Sequence, residues 1–173
     1  MIHFVKSNLL DVRAEAMIYA AREDLKPYDR NSRAVFAAAG EAALTEACSR
    51  LDPVTRGQAA VTDGFDSGAV CILHAVNPGW EGHPTDDYYD LIACCYTALR
   101  LAKLRGCHSA VLPKFQPSAA RYAIETVWPA EIEACLTFLN KNPDWDMEIT
   151  FALDSDRDIW DGQKELRRQS GTV

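Results

Sequence analysis

The sequence predicts an α/β fold, a mixed and largely parallel sheet with helices on both faces. Three observations carry this reading. Short apolar runs alternate with longer helix-patterned segments over all 173 residues, the pattern of strands separated by covering helices. The runs are apolar enough to be buried on both sides, as in parallel sheets. No repeat, low-complexity tract or linker divides the chain, and 48% hydrophobic residues suffice for one core, so residues 1–173 read as a single domain.

The strand candidates are residues 2–6, 15–20, 59–62, 70–76, 109–112 and 147–153. Residues 32–51 carry an alanine-rich pattern of one or two helices, interrupted at Gly40. The clearest helix follows Pro84. Thr85 or Asp86 can cap it, and Leu91, Ile92, Cys95, Leu99 and Ala102 repeat on one face before Gly106 stops it. A second long helix is expected to start around Pro129, a residue suited to the first turn, with Glu131 favourable against the helix dipole. Ile132, Cys135, Leu136 and Leu139 form its apolar stripe. The polar tail QKELRRQSGTV reads as a helix end that frays.

Composition excludes several function classes. A net charge of −7 argues against a nucleic-acid or membrane-surface binder, which needs a basic face. No apolar run reaches membrane-span length, and MIHFVKSNLL lacks the shape of a signal peptide. A soluble cytoplasmic protein is expected. The six cysteines form no CxxC pair, and they read as small reduced core residues rather than a zinc site or a disulfide set. His3, His83 and His108 have no metal-ligand spacing. His74, inside an apolar strand, reads as a hydrogen-bonded core histidine. No serine or cysteine lies in a nucleophile motif, so no catalytic residue, metal or cofactor is assigned.

One stretch raises a sharper question. EAMIYAARED, residues 15–24, begins as a buried strand and ends on Arg22, Glu23 and Asp24. Ligands sit at the carboxyl ends of strands in α/β proteins, so Arg22 either grips an anion or closes a pocket.

The block GQAAVTDGFDSGAVCILHAVNPGW, residues 57–80, resembles the centre of a macro domain. That family shows a Gly-Glu-Ala turn, a strand, a Gly-Tyr turn and then Ile-Ile-His-Ala-Val-Gly-Pro-Trp. AVFAAAG at 34–40 is similar to the family's Ala-Ile-x-x-Ala-Ala-Gly helix. Residues 91–112 match its Leu-x-x-Cys-Tyr helix and next strand, and ITFALD at 149–154 matches its last strand. Matches in order along nearly the whole chain imply the family's three-layer α/β/α sandwich, which by itself fixes no function.

The resemblance implies ADP-ribose binding, and in some members hydrolysis of ADP-ribosyl bonds. The family's Gly-Asp-Ile falls on Ser7-Asn8-Leu9. Its aspartate accepts from the adenine amino group, and Asn8 keeps an acceptor oxygen without the charge. A turn-forming asparagine after a strand fits equally well. The family's Asn-Ala-Ala-Asn falls on Tyr19-Ala20-Ala21-Arg22. Arg22 cannot replace the second asparagine, often required for hydrolysis, because guanidinium accepts no hydrogen bond. The following glycine-rich loop becomes Pro27-Tyr28-Asp29-Arg30, and the diphosphate-cradling Ser-Thr-Gly-x-Tyr-Gly becomes Gln116-Pro117-Ser118-Ala119-Ala120-Arg121. Leu153 stands where an aromatic residue often stacks on adenine. Trp128-Pro129 is expected to interrupt the helix that follows and to mark residues 114–127 as rebuilt.

The candidate ligand-binding residues are therefore Asn8, Leu9, Arg22, Arg30, Ser118, Ala119, Arg121 and Leu153. Arg22, Arg30, Arg33 and Arg121 map near the pocket. They either replace backbone amides as ligands to phosphate or carboxylate or pair with Glu23, Asp24 and Asp29 on a solvated rim, where each pair is worth about 0–1 kcal/mol. Three functions follow in order. The first is a non-catalytic binder of ADP-ribose or a related phosphorylated nucleotide. The second is a ligand-free scaffold or interaction module, and the third an ADP-ribosyl hydrolase.

Overall fold

The structure is a computed structural model that describes residues 1–77, 84–116 and 124–171. Its six strands are β1 (Ile2–Lys6), β2 (Ala16–Ala21), β3 (Ala59–Asp63), β4 (Cys71–Val76), β5 (Ser109–Pro113) and β6 (Glu148–Leu153). Each lies within a residue of its sequence expectation. They form one sheet in the order β1-β6-β5-β2-β4-β3. All neighbours run parallel except β3, which is antiparallel to β4. The carboxyl ends of five strands therefore open on the same edge of the sheet.

Five helices cover it: α1 (Arg30–Ala39), α2 (Glu41–Ser49), α3 (Pro84–Leu104), α4 (Ile124–Lys141) and α5 (Asp156–Ser170). Alternate residues of β2 go to opposite faces. Ile18 and Ala20 join Leu91, Leu99, Ile132 and Phe138 of α3 and α4, whereas Met17, Tyr19 and Ala21 join Val35, Phe36 and Leu44 of α1 and α2. All six residues of β2 are buried, as are all six of β4. This two-sided burial explains their unbroken apolar sequence.

Local chemistry sets the helix ends. Asp29 and Ser32 form a reciprocal capping box at the start of α1, which satisfies amide groups that have no helical acceptor. Asp29 is thus a cap, and among the described residues no arginine side chain pairs with it. Gly40 separates α1 from α2 with φ of +94°, a conformation that costs glycine little. Pro84 itself opens α3, so Thr85 and Asp86 lie inside the first turn rather than before it.

The expected start of α4 is corrected. The helix begins at Ile124 and runs through Pro129. The missing proline N–H removes one bond near the helix start, while Val127 and Trp128 upstream are already buried in the core. Their burial favours the longer helix over a proline-set start. Gln169 of α5 donates to the Pro129 carbonyl at 2.9 Å and fixes α5 beside it.

All six cysteines are free, and all but Cys48 are buried. His74 is wholly buried, with Tyr19 Oη 2.6 Å from Nδ1 and Thr62 Oγ1 3.0 Å from Nε2. Burial lowers its pKa to about 3, leaving a neutral ring fixed by neighbours. Among the described residues, no helix is long and apolar enough to cross a membrane, and no group of acidic, histidine and cysteine side chains could hold a metal ion.

Candidate functional site

A cleft of about 360 Å³ lies at the carboxyl ends of β1, β6 and β5, within the usual size of small-molecule sites. Leu9 and Leu153, 5% and 3% exposed, give it an apolar base. The turn after β1 supplies Ser7, Asn8 and Asp11, and the first turns of α1 supply Arg30, Asn31 and Ala34. Pro113, Lys114 and Gln116 form the opposite wall, and Asp154 and Asp158 lie on the rim.

Two ion-pair systems organise these walls. Arg30 Nη2 donates to Asn8 Oδ1 at 3.1 Å, and Arg30 Nη1 stands 3.6 Å from Asp154. Asn8 Nδ2 in turn donates to Asp11 at 2.9 Å, so the asparagine amide has both ends engaged. Across the cleft, Lys114 donates to Asp158 Oδ1 at 2.7 Å and lies over the Trp128 ring. Ser155 caps α5 by accepting from the Asp158 amide and donates its hydroxyl to the Asp158 carboxylate. Burial pushes the Asp158 carboxyl upward, but the Lys114 and Ser155 hydrogen bonds outweigh it and hold the pKa below its usual value.

Four of the sequence-derived residues meet in this cleft: Asn8, Leu9, Arg30 and Leu153. Arg22 does not line it. Its guanidinium is 3.7 Å from Asp24, over the Tyr28 ring, with 59% of the side chain exposed. Arg33 is exposed and also away from the lining. Ser118, Ala119 and Arg121 lie outside the described residues.

Sequence reading did not single out Asp154, Lys114 or Asp158. The one local signal was Ser155-x-x-Asp158 directly after the last strand, the spacing of a helix cap. A second rim structure closes the other end of the sheet edge. Arg56 binds Asp90 at 2.6 Å and buried Asp87 at 2.7 Å, and its amide donates to Glu23. Asn77 after β4 donates to the Gln116 carbonyl after β5, bridging the end of β2 between them.

The family model of the macro domain matches residues 20–130. The chain belongs to the macro domain family. A macro domain-containing protein of Chlorobaculum tepidum, CT2219, is 28% identical over 96% of this chain and 95% of its own length. The ADP-ribose glycohydrolase MACROD2 of Xenopus laevis is 26% identical over 88% of this chain and 36% of its own length. Among solved structures, the Oceanobacillus iheyensis macrodomain with ADP superposes with a TM-score of 0.86. It has 22% identity over 98% of this chain and 92% of that one. This macro domain therefore has the family's α/β/α layering, with its cleft at the sheet edge where the parallel strands end.

Proposed function

We propose that this macro domain is a single-domain, non-catalytic, cytoplasmic binder of ADP-ribose or a related phosphorylated nucleotide. The cleft above Leu153, walled by Asn8 and Arg30, carries the proposal. It offers an apolar base with convergent polar groups, the usual composition of a ligand site. Its relatives include a protein named as an ADP-ribose glycohydrolase and a macrodomain with ADP.

Charge decides which end of the ligand enters. Among the described residues that line it, Asp11, Asp154 and Asp158 face Arg30 and Lys114, so this part of the cleft is short of positive charge by one. A nucleobase and its ribose suit such a space better than a diphosphate does, because unpaired like charges repel. Ser118, Ala119 and Arg121 remain proposed phosphate contacts on their sequence positions alone, with Arg22 as the outermost candidate.

The non-catalytic part rests on position 22, where the family's hydrolytic asparagine is arginine, and on the cleft walls. No histidine or cysteine lines the cleft among the described residues. Calorimetric titration with ADP-ribose tests binding, and Asn8→Ala and Leu153→Asp test the site. The expected result is saturable binding to the parent that both variants weaken. A flat parent titration returns the scaffold reading.

A further inference from the structure

Glu131 lies in the second turn of α4, behind the segment that leaves β5. It is completely buried. Its Oε1 accepts the Phe115 amide at 2.9 Å, and its Oε2 is buried with no hydrogen-bond partner among the described residues. Nothing in the proposed ligand site uses this carboxyl, yet the backbone it holds continues directly into the cleft wall at Lys114 and Gln116.

Its surroundings among the described residues are nearly devoid of charge. On α4 it neighbours Cys135, and α3 contributes Cys95. The Met1 ammonium, just before β1, acts electrostatically on Cys135 and is committed to the Met147 carbonyl at 2.6 Å. Just after β5 comes Lys114, among the described residues the one cation that bears on Glu131 itself, but its ammonium is committed to Asp158 of α5. Burial pushes the Glu131 carboxyl up to about 8, against smaller lowering by the Phe115 amide and Lys114. A protonated carboxyl suits this site, since one oxygen accepts and only a hydroxyl needs accommodating. A bare carboxylate there has an unpaired oxygen in an apolar space, which is costly.

We propose that Glu131 is a positioning residue that keeps its proton. In that state it pins Phe115 and leaves Lys114 on Asp158, and giving up the proton draws Lys114 inward from the cleft wall. Lys114 is one residue before the amide that Glu131 already holds, so the movement needs no large backbone change. The consequence is electrostatic. With Lys114 withdrawn, Asp158 keeps only the Ser155 hydroxyl and its lysine partner is gone, and among the described lining residues Arg30 alone opposes three acids. A phosphorylated ligand then binds more weakly as the pH rises. This last step rests on the nucleotide-binding reading; the positioning role does not.

The experiment has two arms. Carboxyl NMR of protein labelled with 13C at glutamate side chains is followed from pH 6 to 9.5, and ADP-ribose affinity is measured across the same range. The Glu131 signal is expected to titrate near pH 8 and to be absent from Glu131→Gln. Lys114→Met, which removes the nearby cation, should move the midpoint upward. Affinity for ADP-ribose should fall about tenfold from pH 7 to 9 in the parent and by less than twofold in Glu131→Gln. A Glu131 signal with no midpoint in this range overturns the proposal, as does an equal loss of affinity in Glu131→Gln. A midpoint near 8 that Lys114→Met moves, without ADP-ribose binding at any pH, supports the positioning role and overturns the nucleotide reading instead.

Discussion

Arg30 and Asn8 join two walls of the cleft: the guanidinium at the first residue of α1 donates to the side-chain oxygen of the turn after β1, at 3.1 Å. The link is local to the mouth, and 75% of the Arg30 side chain is exposed. It therefore shapes the entrance while adding little to stability.

Replacing Arg30 by alanine should lower affinity for ADP-ribose about tenfold, the loss of one charge-assisted hydrogen bond worth about 1.5 kcal/mol. Arg22→Ala should change it less, about threefold, because Arg22 lies off the cleft lining as the outermost of the proposed phosphate contacts. Both variants should unfold within about 0.5 kcal/mol of the parent, as exposed substitutions do. Calorimetry and urea unfolding check the two halves. Equal binding by parent and Arg30→Ala would remove Arg30 from the site.

Purified protein should release no ADP-ribose from a mono-ADP-ribosylated substrate above a buffer control. Arg22 offers only donors, and no histidine or cysteine faces the cleft among the described residues. Release that survives repurification and disappears in Leu153→Asp would show that the site is catalytic.

Two buried groups should give stability an acid-side plateau. His74 stays neutral in the fold down to about pH 3 from an ordinary value of 6.5. Its contribution is full above 6.5 and is lost as pH falls to about 3. Glu131 acts oppositely, because its folded pKa is raised from 4.5 to about 8. Its contribution is full below 4.5 and is lost as pH climbs to about 8. Between 4.5 and 6.5 the two slopes offset, and above 6.5 only the Glu131 loss remains, at up to about 1.4 kcal/mol per pH unit. Unfolding free energies measured from pH 3 to 9 should show this shape, with the fall above 6.5 absent from Glu131→Gln. An unchanged fall in that variant would assign it to another group.

Gly162→Ala should destabilise the protein by about 1–3 kcal/mol. A Cβ there would stand 2.5 Å from the Phe4 ring and 3.0 Å from Trp128. Those rings form a cluster with Phe151 that fastens α5 across β1 and α4, so neither can give way freely. Thermal unfolding should place the variant well below the parent; an equal midpoint would mean that α5 adjusts without cost.

The inner strands β2 and β4 were legible because burial on both faces leaves an unbroken apolar run, a signal local to six residues. Pro129 misled because its helix boundary is decided by Val127 and Trp128 entering the core, which no local rule about proline contains. In the cleft, Asn8 and Leu153 could be found because the macro-domain resemblance sets them against family ligand positions at or just beyond the ends of recognisable strands. Lys114 with Asp158, and Phe115 with Glu131, are partners only because β5 delivers its exit between α4 and α5. Their pairing is a property of the packed layers, and side-chain identity alone could not announce it.

The burial of the thiols has a practical consequence for spectroscopy. Five of the six lie inside the core, and burial raises even the partly accessible Cys48 to about 11. At neutral pH a maleimide dye should find almost no native thiolate to attack. A cysteine introduced at exposed Arg33, beside the α1 wall of the cleft, could then carry one fluorophore in an otherwise native background. Such a probe would report ligand entry in real time without first stripping the interior of its sulfur.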